Sequence, residues 1–341
     1  IAASITAGGR MRIYQARDFC LKNNKGCEVV YGDSVPGDEP ILIKYRKGHK
    51  YESKYIEIQE LIDNRFNYGY YKDDSIIDNR THTKEYYRFK NDIMVWSQDG
   101  FTPIKYFIKH PIEKKMYRII TTSGVVEVTE DHSLVDSNKN IIKPNECQIG
   151  TKLMTKSFSN YNNKHLLQQN IYHPYLLECI KNIEVLNKHK DKCLDTDYCF
   201  KFANNISKIE LSKFCVYVSS KYRANIELYE RDKNIIFYIT KRDIQQGVII
   251  SIEEINYSGK YVYDLETENH HFHAGIGNLI VHNTDSVFVK FNLERPDGTY
   301  PETDYDKVKE SMDIGLQIQQ QLKDENIFPP PHDLEYEKVF Y

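Results

Sequence analysis

Val29-Val30-Tyr31-Gly32-Asp33 stops in mid-turn, and Thr284-Asp285-Ser286-Val287-Phe288-Val289-Lys290-Phe291 resumes it after a long interruption. Joined, the two halves read as one tight turn between apolar strands, with Asp33 and Asp285 one residue apart. Two carboxylates so spaced would suit a two-metal site. In the chain as it stands, the whole of residues 34–283 lies between them. The residues at the breaks, Ser34 on one side and His282-Asn283-Thr284 on the other, are types that can cut and rejoin a backbone.

Outward from the breaks, Glu28–Tyr31 reads as a short strand entering the turn. Beyond it, Val287, Val289 and Phe291 alternate with Phe288 and Lys290, the pattern of a half-buried strand. A helix is predicted over 4–23, where Ile5, Ile13, Ala16 and Cys20 recur at helical spacing before Lys25-Gly26. A second helix is predicted over 305–323, with Val308, Met312 and Leu316 on one face and Leu322 near its end. Pro329-Pro330-Pro331 ends it in an extended linker.

The interruption has a different texture. Tyr117–Val126 and Val128–Val135 are β-branched and aromatic around Ser123-Gly124, a hairpin signal. Val248–Ile255 and Tyr261–Leu265 are two more strands, broken by Tyr257-Ser-Gly-Lys260. Short strands with polar turns indicate an all-β unit. Residues 157–242 differ, being rich in Asn and Lys with helical stretches near 174–188 and 206–222, and read as a separate insertion.

Composition sets outer limits. With 341 residues the chain can bury a sizeable core in two or three units. A net charge of −3 gives no electrostatic argument for nucleic acid or membrane. Cysteines at 20, 27, 147, 179, 193, 199 and 215 form no CxxC pair, which suits reduced thiols inside a cell. No apolar run is long enough to span a bilayer. The chain opens at Ile1 without Met and reads as a fragment of something longer.

The junction chemistry can be stated from residue types. A hydroxyl directly after a peptide bond can attack the carbonyl before it, exchanging amide for ester, and Ser34 is placed for this. The exchange is uphill, so the fold must strain the amide and protonate the departing nitrogen. Thr129-Glu-Asp-His132 offers a hydroxyl and an imidazole three residues apart, suited to gripping one peptide unit. Asn283 can attack its own backbone carbonyl to form a succinimide, with His282 polarising that carbonyl and Thr284 supplying an acceptor hydroxyl. Each element alone has a bland reading: a Ser at a turn is usually a cap, and Thr-x-x-His is commonly an ordinary strand end. Their order, framed by halves of one foreign motif, carries the case.

On these residues the insert resembles an intein, a protein-splicing element of the Hint fold. The likeness lies in Ser34-Val-Pro-Gly-Asp38, the Thr129/His132 segment, and Tyr261-Val-Tyr-Asp-Leu265 through His282-Asn283-Thr284. The flanks resemble the palm of a family B DNA polymerase, delta-like or viral, through Ile1–Gly9, the joined Tyr-Gly-Asp-Thr-Asp-Ser, and Asp333-Leu-Glu-Tyr-Glu-Lys338. Inteins occupy this polymerase motif, so each resemblance supports the other. The implied fold is mainly β: a horseshoe-like, all-β Hint splicing domain with a small α+β insertion, between α+β palm fragments. The implied boundaries are 1–33 and 284–341 for the host flanks, 34–156 and 243–283 for the splicing parts, and 157–242 for the insertion.

The resemblance also implies roles. Ser34 is the first nucleophile, Thr284 the second, Asn283 the cyclising residue and His282 its helper. Thr129 and His132 activate the upstream bond. Asp264 matches an acid that coordinates the two ends, and His270 best matches the family's additional histidine, with His271 and His273 as neighbours. A zinc reading of that histidine run lacks Cys partners; an imidazole of the splicing site with exposed neighbours is expected instead. No metal or cofactor is implied for splicing, which is intramolecular and monomeric. After splicing, Asp33 and Asp285 match aspartates that bind Mg2+, and Lys338 matches a lysine near the primer terminus. The spliced host would bind DNA and dNTPs, off any membrane, in the cytoplasm or nucleus or in a compartment of a large DNA virus. A LAGLIDADG homing endonuclease needs two helices with acidic ends, and 157–242 holds no such pattern. Its nearest echo is Tyr222-Arg-Ala-Asn-Ile-Glu-Leu228 followed by Ile235-Ile-Phe-Tyr-Ile-Thr240, so an inactive remnant is expected. The competing readings are a polymerase fragment with a dead passenger, and a working endonuclease module.

Overall fold

The flanks on either side of the interruption meet as an antiparallel pair, Glu28–Val30 against Phe288–Lys290, with Val29 opposite Val289. Both strands were expected, the first as a short strand entering the turn and the second from its apolar alternation. The computed structural model describes residue 19 and residues 28–30, 34–63, 68–72, 85–112, 114–158, 171–186, 198–202, 206–231, 234–240, 246–283, 288–295 and 297–325. The helix expected over 4–23 (Phe19 apart), the linker at 329–331, and Asp33, Thr284, Asp285 and Lys338 lie outside them. Tertiary contacts divide the chain into two units, Gly32–Asn283 and the flanks Ile1–Tyr31 with Thr284–Tyr341.

In the flanking unit a helix runs from Asp304 to Asp324. The Thr303 hydroxyl caps it by accepting from the Asp306 amide at 3.1 Å, and Asp304 and Asp306 fall in the positive first turn. The buried row is Gly315, Ile318 and Leu322. Leu322 is buried as expected, but Met312 and Leu316 are 41% and 49% exposed. The helix turns inward the face carrying Ile318 and Leu322, with Gly315 between them and the preceding turns.

The interrupting unit is mainly β, and its paired strands are antiparallel. Its largest sheet orders Val35–Pro36, Tyr261–Thr267, Gly100–Pro111, Ile93–Ser97, Pro40–Lys47 and Lys50–Glu57, with Glu85–Phe89 and Tyr70–Lys72 branching from Gly100–Pro111. The expected hairpin forms from Met116–Thr121 and Gly124–Thr129, joined through Thr122-Ser123, with Ile249–Ile255 on one side and Ile276–Gly277 on the other. The run expected to continue to Val135 instead breaks after Thr129 and resumes as Leu134–Val135. That short strand lies between Ile141–Ile142 and Ile280–His282, with His271–His273 beyond. Ile43, Val95, Phe107, Val128, Leu265, Phe272 and Val281 come from all three sheets into one buried cluster. Burial of this apolar surface is the main stabilising contribution.

Residues 157–242 hold helices Pro174–Leu186 and Lys208–Tyr222 and a sheet ordered Tyr198–Phe202, Asn234–Thr240, Asn225–Arg231. They were expected as a separate insertion, yet their core is shared. Phe214, Leu228 and Phe237 pack in one cluster with Ile120, Val125 and Ile276 of the hairpin region. The Leu228 amide also donates to the Thr122 carbonyl at 2.8 Å. Lys208, from the first turn of its helix, reaches Asp38 at 3.1 Å, Glu39 at 3.0 Å and Glu127 at 2.6 Å. Three carboxylates close enough to share a cation thus receive an ammonium from the chain itself. Burial still lifts the Glu39 carboxyl to about 7, against the pull of Lys208. Among the described residues, no helix is long and apolar enough to cross a membrane.

Candidate active site

Ser34 is fully buried at the head of the Val35–Pro36 strand. That strand pairs Val35 with Tyr263 and Pro36 with Val262, so the register carried one step further brings Asp264 opposite Ser34. Asp264 is buried, and its Oδ1 accepts from the Leu265 amide at 2.7 Å. From the other side comes Thr129, the last residue of a strand whose six members are all buried. The Ser34 amide donates to Thr129 Oγ1 at 3.2 Å, and the Thr129 amide donates back to the Ser34 carbonyl at 3.0 Å. Thr129 therefore holds the nitrogen that the Asp33–Ser34 cleavage would release. The Asp33 carbonyl, the other half of that peptide unit, falls outside the described residues.

The hairpin turns back on itself after Thr129, where the His132 amide donates to the Thr129 carbonyl at 3.0 Å. This turn places the His132 ring in full burial, with neither nitrogen hydrogen-bonded. Its pKa is pushed down to about 3, by burial first and by the neighbouring His282 second. A second imidazole, unremarked in the sequence, touches the nucleophile directly: His110 Nε2 lies 2.7 Å from Ser34 Oγ. No spacing rule links residues 110 and 34. Only the pairing of Tyr261–Thr267 with both Gly100–Pro111 and Val35–Pro36 brings them together.

The downstream end of the unit closes on the same region. The strand Ile280–His282 pairs His282 with His271, and the His282 amide donates to the Ser133 carbonyl at 3.0 Å. Asn283 follows and is buried, its amide bonded to the His270 carbonyl at 2.8 Å. Its Nδ2 donates to the Leu265 carbonyl at 3.0 Å, while Oδ1 has no hydrogen-bond partner. Leu265 is the residue after Asp264, so the two ends of the unit are tied to successive positions of one strand. The His282 pKa falls to about 4, mainly by burial and then by His271, with hydrogen bonding to the Asn283 backbone acting in the opposite direction. His132 and His282 are therefore neutral near pH 7.

The histidine run resolves residue by residue. His270 sits at a left-handed φ of 61°, its ring nearly parallel to that of His282 with centroids 6.1 Å apart. His271 is closer, edge-on at 4.8 Å. Both, rather than His270 alone, flank His282. His273 was expected as an exposed neighbour and is fully buried. Its Nε2 meets the Tyr55 hydroxyl at 2.9 Å and its Nδ1 meets the Leu279 carbonyl at 2.9 Å, which satisfies both nitrogens inside the core. Burial lowers its pKa to about 4.

The chain is 30% identical over 447 residues to a DNA polymerase of Acanthamoeba polyphaga mimivirus, a match covering 100% of the chain and 25% of the relative. Flanks and interruption alike fall within that match. The chain is similar to DNA polymerase sequence throughout its length. A Thermococcus aggregans DNA polymerase is 29% identical over 200 residues, covering 55% of the chain and 10% of that relative. The chain spans about a quarter of the length of the mimivirus relative. Two solved inteins are similar in structure to part of the chain. The transcription factor IIB Mvu mini-intein is 20% identical with a TM-score of 0.39, covering 73% of this chain and 99% of that one. The Pab PolII intein is 16% identical with a TM-score of 0.39, covering 73% and 100%. No protein-family model matches the chain.

Proposed function

We infer that the interruption is an intein, which excises residues 34–283 and joins Asp33 to Thr284. Ser34 Oγ attacks the Asp33 carbonyl carbon, the C–N bond to Ser34 breaks, and the acyl group passes to oxygen as an ester. Thr129 holds the departing nitrogen through its hydroxyl. His132, buried in the turn that follows Thr129, contributes as a neutral ring rather than as a standing imidazolium. The Thr284 hydroxyl then takes the Asp33 acyl group from Ser34. Asn283 Nδ2 attacks the Asn283 carbonyl carbon, forms the succinimide and releases the Thr284 amine. The freed amine captures the acyl group, turning ester back into amide. Asp264 sits between the two ends, and His282 steadies the carbonyl that opens.

The observation that carries this reading is the burial of Ser34 and Asn283, the two extremes of the interruption, against successive positions of one strand. After joining, Asp33 and Asp285 would flank Thr284. Paired carboxylates suit the oxygen preference of Mg2+, which in a polymerase supplies charge neutralisation on the transferred phosphate. DNA and dNTP binding, Lys338 at the primer and an intracellular setting belong to that spliced product, and the unspliced chain is expected to lack polymerase activity. Splicing itself is intramolecular and uses no cofactor.

Intact mass of the expressed chain tests the reading. The full-length species should convert into a ligated flank product and an excised 34–283 fragment. Asn283→Ala should stop release at the downstream junction, and Ser34→Ala should leave the upstream peptide bond whole. Persistence of the full-length mass across pH and temperature would overturn the proposal.

A further inference from the structure

We propose that His110 is the base that takes the Ser34 hydroxyl proton in the first step, a role resting on the splicing reading above. His110 is buried at the end of the Gly100–Pro111 strand, and its two ring nitrogens are held differently. Nδ1 lies 3.0 Å from the Pro111 carbonyl oxygen, a group that can only accept, so Nδ1 carries the hydrogen. In the neutral ring this leaves the lone pair on Nε2, which points at Ser34 Oγ from 2.7 Å. The hydroxyl is therefore the donor in that contact, and its proton already lies along the transfer path. This is the nucleophile–base–orienter arrangement in which a weak hydroxyl is activated, with the Pro111 carbonyl fixing the tautomer.

None of the other buried imidazoles is so placed: His282 pairs with His271 beside Asn283 at the downstream junction. His132 has no hydrogen bond on either nitrogen, and both nitrogens of His273 are engaged by Tyr55 and Leu279. A serine hydroxyl stays un-ionised at neutral pH, so a general base is the missing part of the upstream chemistry. The proton balance closes within the site. As the bond from Oγ to the Asp33 carbon forms, the Oγ proton moves to His110 Nε2. As the bond from that carbon to the Ser34 nitrogen breaks, the same proton passes to the nitrogen. The amide becomes an ester and a free amine, with His110 neutral again. Thr129 Oγ1, which accepts from the Ser34 amide, holds the nitrogen while the proton is transferred.

The test uses the full chain carrying Asn283→Ala, which confines events to the upstream junction, with hydroxylamine cleavage of the ester as the readout. His110→Ala should slow cleavage by about 100-fold or more, the usual worth of a general base. A thiol with its pKa near 8.5 ionises without help, so Ser34→Cys should recover most of that loss in the His110→Ala background. Thermal melts of each variant report folding. An unchanged rate in His110→Ala would overturn the assignment, as would an equal loss with serine and with cysteine at 34, which marks a structural role. Absence of hydroxylamine-sensitive ester in the chain with His110 intact would instead overturn the splicing reading itself.

Discussion

His132, His273 and His282 share one physical condition: burial holds each well below the ordinary imidazole range, at about 3, 4 and 4. Unfolded, each would take a proton near 6.5, while in the folded unit it resists until about 4 or below. The unfolded state thus binds more protons than the native state between these limits. Stability is full above about pH 6.5 and falls as pH drops toward 4, by up to about 1.4 kcal/mol per pH unit for each histidine. Melting temperatures measured from pH 7.5 to 4.5 should fall steadily below 6.5, and His273→Gln should flatten the decline. A flat profile in the unsubstituted chain would contradict the burial of these rings. At this scale the sequence was legible wherever chemistry is local. Ser34, Thr129, His132, His282 and Asn283 are recognisable from type and order. His110 was not, because its partner is set by strand register and not by any interval in the chain.

The hairpin Met116–Thr121/Gly124–Thr129 is the element on which the proposed upstream chemistry hangs, since it ends in Thr129 and turns into His132. It is edged by Ile276–Gly277, where Gly277 has a φ of 87°. A Cβ there would lie 2.2 Å from the Ser123 carbonyl oxygen, closer than atoms can approach. Gly277→Ala should cost more than about 1 kcal/mol, through strain and a displaced strand. The expected outcome is a melting temperature lowered by a few degrees, roughly 2–4 °C per kcal/mol for a unit of this size, with a slower upstream step. The hairpin was readable because its strands are β-branched and its turn is polar. The large sheet was not read from Pro40–Glu57, where Ile41-Leu42-Ile43 is a buried run and the strand then turns to Lys and Arg. Neither half alternates cleanly, so the two-residue period is lost. The stripe on the 304–324 helix was misplaced for a related reason: Met312 and Leu316 sit at helical spacing, but Ile318 and Leu322 set the inward face.

For the interrupting unit as a whole, residues 157–242 contribute to its core and to its charge balance. Glu39 and Glu127 are 1% and 7% exposed at their side chains, and Lys208 is the cation they share. Lys208→Ala would leave two buried carboxylates facing each other without it. Loss of one partner from a buried ion cluster costs about 3–5 kcal/mol. Urea denaturation of the Lys208→Ala variant should show an unfolding free energy lowered by that amount and a midpoint at lower urea, and an unchanged midpoint would reduce the cluster to a surface contact. Cutting out 157–242 would also bare Ile120, Val125 and Ile276, so a shortened intein would need polar replacements at those positions. Composition marked this stretch as different in kind, and its helices, Pro174–Leu186 and Lys208–Tyr222, fall where helical stretches were expected. Texture alone could not show that its apolar side chains complete a neighbour's core.

The pair Glu28–Val30 and Phe288–Lys290 holds one further consequence. These strands are hydrogen-bonded across the interruption while the peptide link between them is still missing. Like a fracture splinted before it knits, the host sheet keeps its two ends in register whichever bond is open. On the proposed route, ligation would close a short loop over a ladder that already exists, and the strands would not need to search for each other. An accidental cut at the upstream ester would leave two chains that still clasp through that ladder, at a local concentration far above that of free fragments. The host thereby becomes a participant in its own mending.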